Sequence, residues 1–166
     1  GNITKRGTDV FTYNGYGQLA GTTVNSISAQ YKYNLSGLRV AKTVSGQTTL
    51  YFYDNDGRLL SEIDAGTGTV NREYIWLGTK PVAYLSGEQV YFIHTDNTET
   101  PQLLTNSQGN VVWTVQTYPF GKQSYAGSVT FNLRYPGQYF DEESGLHYNW
   151  HRYYDPNTGR YITSDP

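Results

Sequence analysis

Between residues 9 and 63 the chain alternates apolar and polar positions at a two-residue period, and the alternation is cut at regular intervals by Asn or Asp and Gly. Thr49, Leu50, Tyr51, Phe52 and Tyr53 read as one strand, and Arg58, Leu59, Leu60, Ser61, Glu62 and Ile63 as its return, with an Asp54-x-x-Gly57 turn between them. An Asx side chain can close such a turn on its own backbone, and the glycine supplies a positive φ. The unit recurs. The aromatic at its third place falls at Tyr13, Tyr33 and Tyr53 and its glycine at Gly17, Gly37 and Gly57, a step of 20 residues. Self-similarity at a fixed step predicts a repeat architecture in which each hairpin buries its apolar face only by stacking on its neighbours.

Further hairpins follow. A turn at 64–68 leads into a strand at 70–77, the strands 80–85 and 89–93 pair across Ser86 and Gly87, and 103–105 and 110–115 pair across Asn106 and Gly109. No window of about 11 residues keeps a 3.6-residue apolar stripe, so no helix is predicted. The strands 49–53 and 110–115 carry aromatics on one face and aliphatics on the other. Such strands need cover on both faces, and a stack of hairpins leaves open edges that invite pairing. The fold class is therefore all-β, built of antiparallel hairpins. The chain is expected to need neighbouring repeats, or edge-strand self-association, to satisfy its edges.

Composition narrows the reading. Tyrosine stands at 17 and glycine at 18 of 166 residues, which suits pleated, half-buried strands joined by tight turns. Net charge is −2 and only 16% of residues are charged, which argues against a phosphate-binding surface and so against nucleic acid. There is no apolar run of roughly 18 residues to span a membrane and no signal-peptide pattern. Cysteine is absent, which excludes disulfides and thiolate chemistry. The opening Gly1-Asn2-Ile3 reads as the tail of another repeat, so the chain is expected to be an excised piece of something longer.

Several motifs invite chemistry and have plainer explanations. His147 and His151 are four apart, but their surroundings read as strand, where that spacing separates them by about 13 Å, so no metal is expected there. Asp54, Asn55, Asp56 and Gly57 fail the register of a calcium loop. Gly15-x-Gly17 lacks the helix that a dinucleotide fingerprint needs, so no cofactor is expected. Asp155-Pro156-Asn157-Thr158-Gly159 reads as an Asx turn, and Asp141, Glu142 and Glu143 as a solvated turn. Trp76, Trp113 and Trp150 would suit a carbohydrate-binding or adhesive module if they formed an exposed row; cross-strand packing is the favoured reading.

From residue 91 onward the chain loses the 20-residue step and becomes distinctive. Thr95-Asp96-Asn97-Thr98-Glu99-Thr100-Pro101-Gln102-Leu103-Leu104 is followed by Tyr118-Pro119-Phe120-Gly121, then by Leu133-Arg134-Tyr135-Pro136-Gly137-Gln138-Tyr139-Phe140-Asp141. The end reads Arg152-Tyr153-Tyr154-Asp155-Pro156, then Gly159-Arg160-Tyr161-Ile162-Thr163-Ser164-Asp165-Pro166. Together these closely resemble the Rhs-repeat-associated core domain that ends the tyrosine-aspartate (YD) repeat region of Rhs and Tc-toxin C-component proteins, and the units at 11–59 resemble YD repeats. The resemblance divides the chain into YD-type repeats at 1–90 and a core domain at 91–166, truncated at its C-terminal end.

What the resemblance implies is specific. Such repeats form a β-sheet that spirals into a hollow shell holding a variable C-terminal toxin, and the core domain plugs the shell. In many members the core domain also cuts the toxin free as an aspartic autoprotease. Asp165 matches the first catalytic aspartate of that family motif, and Arg152, thirteen residues before it, matches the supporting arginine. The second aspartate would lie roughly twenty residues beyond Pro166, and because aspartic proteolysis needs two carboxylates the chain alone is expected to be inactive. The expected partners are the C-terminal toxin segment of the same parent chain, neighbouring YD repeats and secretion-apparatus proteins. The parent would be secreted or delivered from a bacterial cell. A teneurin-like surface shell without toxin release stays open as an alternative, as does the carbohydrate-binding module.

Overall fold

The computed structural model describes residues 1–164. It holds two antiparallel sheets. The larger has 13 strands in strict chain order, each hydrogen-bonded to the next. They are β1 (Lys5–Arg6), β2 (Asp9–Tyr13), β3 (Leu19–Val24), β4 (Ile27–Tyr33), β5 (Arg39–Val44), β6 (Gln47–Tyr53), β7 (Leu59–Asp64), β8 (Val70–Leu77), β9 (Lys80–Ser86), β10 (Gln89–Thr95), β11 (Pro101–Thr105), β12 (Val111–Thr117) and β13 (Gln123–Gly127). A short 3₁₀ turn, Pro119–Gly121, is inserted between the last two. The smaller sheet comprises β14 (Gln138–Asp141), β15 (Leu146–Asn149), β16 (Arg152–Asp155) and β17 (Arg160–Tyr161).

The two edges of the large sheet use different turns, each dictated locally. On one edge Asn14, Asn34, Asp54, Asp96 and Asn106 fold the chain through the same motif. Their side-chain oxygen accepts the N–H four residues on, at 2.9–3.0 Å. Their main-chain carbonyl accepts the N–H three residues on. That third residue is left-handed: φ is +75° at Gly17, +80° at Gly37, +79° at Gly57 and +80° at Gly109. At the fifth turn a non-glycine, Glu99, holds φ +63°. The register slips by one residue just before each of these turns, at Thr12/Tyr13, Lys32/Tyr33, Phe52/Tyr53, His94/Thr95 and Leu104/Thr105. On the opposite edge two-residue turns such as Asn25–Ser26 (φ +49° and +66°) and Ser45–Gly46 (φ +50° and +83°) match the twist of the strands they join.

The repeat is also stitched across hairpins. Tyr33 Oη donates to the carbonyl of Leu19 (2.6 Å), Tyr53 Oη to that of Arg39 (2.9 Å), and Trp76 Nε1 to that of Leu59 (2.8 Å). The acceptors are again 20 residues apart. One face of the sheet presents Phe11, Tyr31, Tyr51, Tyr74, Tyr84, Ile93, Leu104 and Trp113, all buried. The smaller sheet covers this face with Tyr139, Leu146, Tyr148 and Tyr153, joined by Phe131 and Leu133 of the connecting segment. Its last strand returns the chain to its beginning, where Ile3 N–H donates to the Ile162 carbonyl at 2.9 Å. Among the described residues the other face of the large sheet has no such cover, and Phe52, Ile75, Phe92 and Val111 are 48–58% exposed there.

Candidate functional site

The polar chemistry of the molecule is concentrated where the two sheets meet. Leu19, Arg39 and Leu59 occupy the same slot of successive repeats, and strand alternation turns that slot inward, so Arg39 is wholly buried. The rings of Tyr148, Tyr51, Tyr139 and Tyr31 surround its guanidinium at 4.4–5.4 Å. Its counter-ion is Asp141, at the end of β14 and also fully buried. Lys42 Nζ donates to Asp141 (2.9 Å) and to Glu143 (3.0 Å), and Tyr31 Oη donates to Glu143 (3.0 Å). Burial opposes ionisation of Asp141, but the Arg39 and Lys42 charges and their hydrogen bonds outweigh it and hold the carboxyl below the usual carboxylate range. The expectation of a solvated turn at Asp141, Glu142 and Glu143 is therefore corrected. Glu142 alone is exposed; the other two face cations that lie about a hundred residues earlier in the chain.

A second clamp repeats the logic with the signs reversed. Glu62, 1% exposed, accepts hydrogen bonds from Tyr74 Oη (2.6 Å), Arg72 Nη1 (2.7 Å) and Tyr139 Oη (3.0 Å). A third joins Arg6 near the start of the chain to the buried Asp155 of β16. Asp155 also closes its own turn by accepting the Asn157 N–H at 2.9 Å, as an Asx residue should. Arg134 is different: it is 3% exposed, donates to the carbonyls of Phe131 and Leu133, and has no carboxylate partner among the described residues. Burial lowers its pKa to about 10. His147, buried beside it, bonds Gln138 at 2.7 Å through Nδ1. Burial first, and then the Arg134 charge, bring its pKa down to about 4.

Arg152 opens β16, with its guanidinium carbon 3.8 Å from the centre of the Tyr161 ring. The segment leading to the chain end lies directly alongside: Ile162 N–H donates to the Tyr153 carbonyl (2.9 Å), and Tyr153 N–H donates to Thr163 Oγ1 (3.1 Å). Ser164 N–H then donates to Asn2 Oδ1 at 2.8 Å. Asp165, the other site residue read from the sequence, lies outside the described residues. His147 and His151 are not brought together, since His147 faces Gln138 while His151 sits on the turn at Gly37. Among the described residues no cluster of three or more His, Asp or Glu could hold a metal ion. The three tryptophans form no exposed row, because Trp113 is 1% exposed and packs on Phe131. A cavity of about 390 Å³ lies between the Asx turns and the second sheet, lined by Trp76, Trp150, Tyr135, Arg58 and Glu99 among others.

A continuous hairpin sheet with a second sheet folded back on it is shared with known proteins. The sequence profile of the Teneurin YD-shell matches residues 1–166, the full length of the chain. This chain belongs to that family. Along its whole length the YD-shell chain is 33% identical to the tRNA nuclease WapA of Bacillus subtilis (strain 168), of which it spans 8%. About half of it is 40% identical to 6% of the toxin protein Tse5 of Pseudomonas aeruginosa. The fold of the YD-shell chain matches a crystal structure of TcdB2-TccC3-TEV with a TM-score of 0.76 at 21% identity, covering all of this chain and 9% of that one. A Photorhabdus luminescens Tc holotoxin pore matches at 0.71 and 22% identity, over 98% of this chain. The Rhs- and Tc-type recognition and the all-β shell fold read from the sequence stand on these matches. Among the described residues no helix is long and apolar enough to cross a membrane.

The buried cluster Arg39–Asp141–Lys42–Glu143 was missed by sequence reasoning. One signal for it existed: Arg39 is a cation in a slot that neighbouring repeats fill with leucine.

Proposed function

We propose that this chain is wall and closing end of a shell that confines a toxin segment of the same parent polypeptide. In this reading the repeat hairpins of 1–90 are wall, and 91–166 is the core domain, whose first hairpins extend the wall before its last four strands fold back. The observation that carries the reading is the return of the second sheet onto the repeats, pinned to β1 and β5 by the ion pairs of buried Asp155 and Asp141 and to the β7–β8 hairpin by the Tyr139–Glu62 hydrogen bond. Such clamps are expensive to break once buried, because the surviving partner would be left as an uncompensated charge. They suit an end that must stay shut. Relatives named as toxins and nucleases, and the far greater length of those relatives, support a cargo that lies elsewhere in the parent and a protein delivered out of a bacterial cell.

In the same reading Asp165 and Arg152 serve autoproteolytic release. A guanidinium near Asp165 would favour its ionised form and fix its orientation, and a second carboxylate, supplied by the parent beyond Pro166, would share the proton. The test is an intact-mass spectrum of the chain extended by about forty native residues, enough to include a second carboxylate, with wild type beside Asp165→Asn. Cleavage in the wild type that vanishes in the variant is the expected result. A folded, uncut wild type would reduce the chain to wall alone.

A further inference from the structure

Gly17, Gly37 and Gly57 share one turn and one left-handed conformation, yet their surroundings differ. Among the described residues a side-chain carbon at Gly17 would meet nothing nearer than Asn2 Nδ2 at 3.7 Å. At Gly37 it would stand 2.6 Å from His151 Nδ1, and at Gly57 2.9 Å from Cη2 and Cζ2 of Trp150. Trp150 and His151 are the two central residues of the turn between β15 and β16. That turn therefore lies across two consecutive repeat turns, with one side chain in each glycine notch. Trp150, 41% exposed, also lies against Gly137, where a side-chain carbon would come 3.5 Å from Nε1.

Backbone conformation points the same way. Trp150 holds φ +56°, a region disfavoured for any residue with a Cβ and retained where the surroundings over-determine it. Phe120 of the wall holds φ +67° and lies on Gly159 of the second sheet, 3.1 Å from where its side-chain carbon would be. Its carbonyl accepts a 2.6 Å hydrogen bond from Tyr154 Oη. The two left-handed aromatic residues are thus both seated on a glycine of the opposing sheet, one from each side. Close approach of this kind explains these glycines beyond the turn geometry that all repeats share.

We infer that Trp150 and His151 form a key whose notches are Gly57 and Gly37. The key fixes the register of the second sheet on the wall, and through the next peptide bond it sets the place of Arg152. Trp150 and His151 are positioning residues; their bearing on cleavage rests on the release reading above, while the keying itself does not.

Gly17→Ala measures the conformational cost of a left-handed alanine alone, so it is the internal reference. Gly57→Ala should lower the melting temperature by about 4 °C more than Gly17→Ala does. Gly37→Ala should fall between them, because the exposed imidazole of His151 can swing aside. In a Trp150→Ala background the excess cost of Gly57→Ala should disappear. The second readout is the Nε–Hε resonance of Arg152, which feels the ring current of Tyr161. Trp150→Ala should move it toward its random-coil position, and Trp150→Phe should restore most of the shift. Equal costs at Gly17 and Gly57, or an Arg152 resonance unmoved by Trp150→Ala, would overturn the key. In the chain extended past Pro166, Trp150→Ala should slow cleavage at least tenfold. An extended wild type that is never cut while both other readouts hold would sustain the key and remove the release reading.

Discussion

Arg39 shows how a single residue can commit a repeat to a partner. Leu19 and Leu59 in the equivalent slots need only apolar cover, whereas the Arg39 charge needs the carboxylate of Asp141 and the faces of four tyrosine rings. Removing one member of a buried pair costs about 3–5 kcal/mol. Asp141→Asn should therefore lose about that much in urea unfolding, whereas loss of a surface pair such as Arg58–Asp56, through Asp56→Asn, should cost about 1 kcal/mol or less. The buried groups also set a pH dependence. Below about pH 6.5 the unfolded chain takes up a proton at His147 that the folded chain refuses until about pH 4. Stability should fall across that window as pH drops, by roughly 2–4 kcal/mol. Asp141 acts in the same direction lower down: its depressed carboxyl stabilises the fold above the unfolded value of about 3.9 and stops doing so as pH falls through the folded one. His147→Gln should flatten the upper part of a stability-against-pH profile and leave the acid limb in place.

Among the elements, the Asx turn is the unit most legible in the sequence, because all of its hydrogen bonds fall within five residues. Asn14, Asn34, Asp54 and Asn106 could be read as turns from spacing alone, and the strands follow from the alternation between them. The Asp96 turn was hidden by Glu99, which sits where the other turns have glycine. Glu99→Gly should relieve the left-handed strain and raise stability by up to about 1 kcal/mol, offset by loss of its 3.1 Å hydrogen bond from Thr79. The inter-repeat hydrogen bonds make a second prediction. Tyr33→Phe and Tyr53→Phe should each cost about 1 kcal/mol, and the double variant should depart from the sum, because Tyr33 Oη also bonds Tyr153 Oη, which accepts from the Arg39 side chain while Tyr53 holds the Arg39 carbonyl. What the sequence hid were contacts between distant elements. Asp141 and Glu143 looked like solvated acids because their cations lie on β5, and Gly37 and Gly57 looked fully explained by φ, since nothing local announces the ring that rests on each.

For the whole molecule, the important features are the open ends of the large sheet. Among the described residues β1, only two residues long, and β13 are its outer strands. An edge of unpaired backbone groups is a template for another strand. Adding the preceding native repeat should raise the melting temperature and suppress any concentration-dependent self-association, as checked by calorimetry and sedimentation. In the proposed shell this sheet is a stretch of a continuing wall closed by its own last four strands. A reconstruction of the full-length parent by electron cryo-microscopy tests it most directly. The expected map shows a strand paired to β1 from the preceding repeat, the second sheet seated on the wall, and toxin density on the enclosed side. A sheet that ends at β1, or a toxin segment held outside it, would rule out the shell.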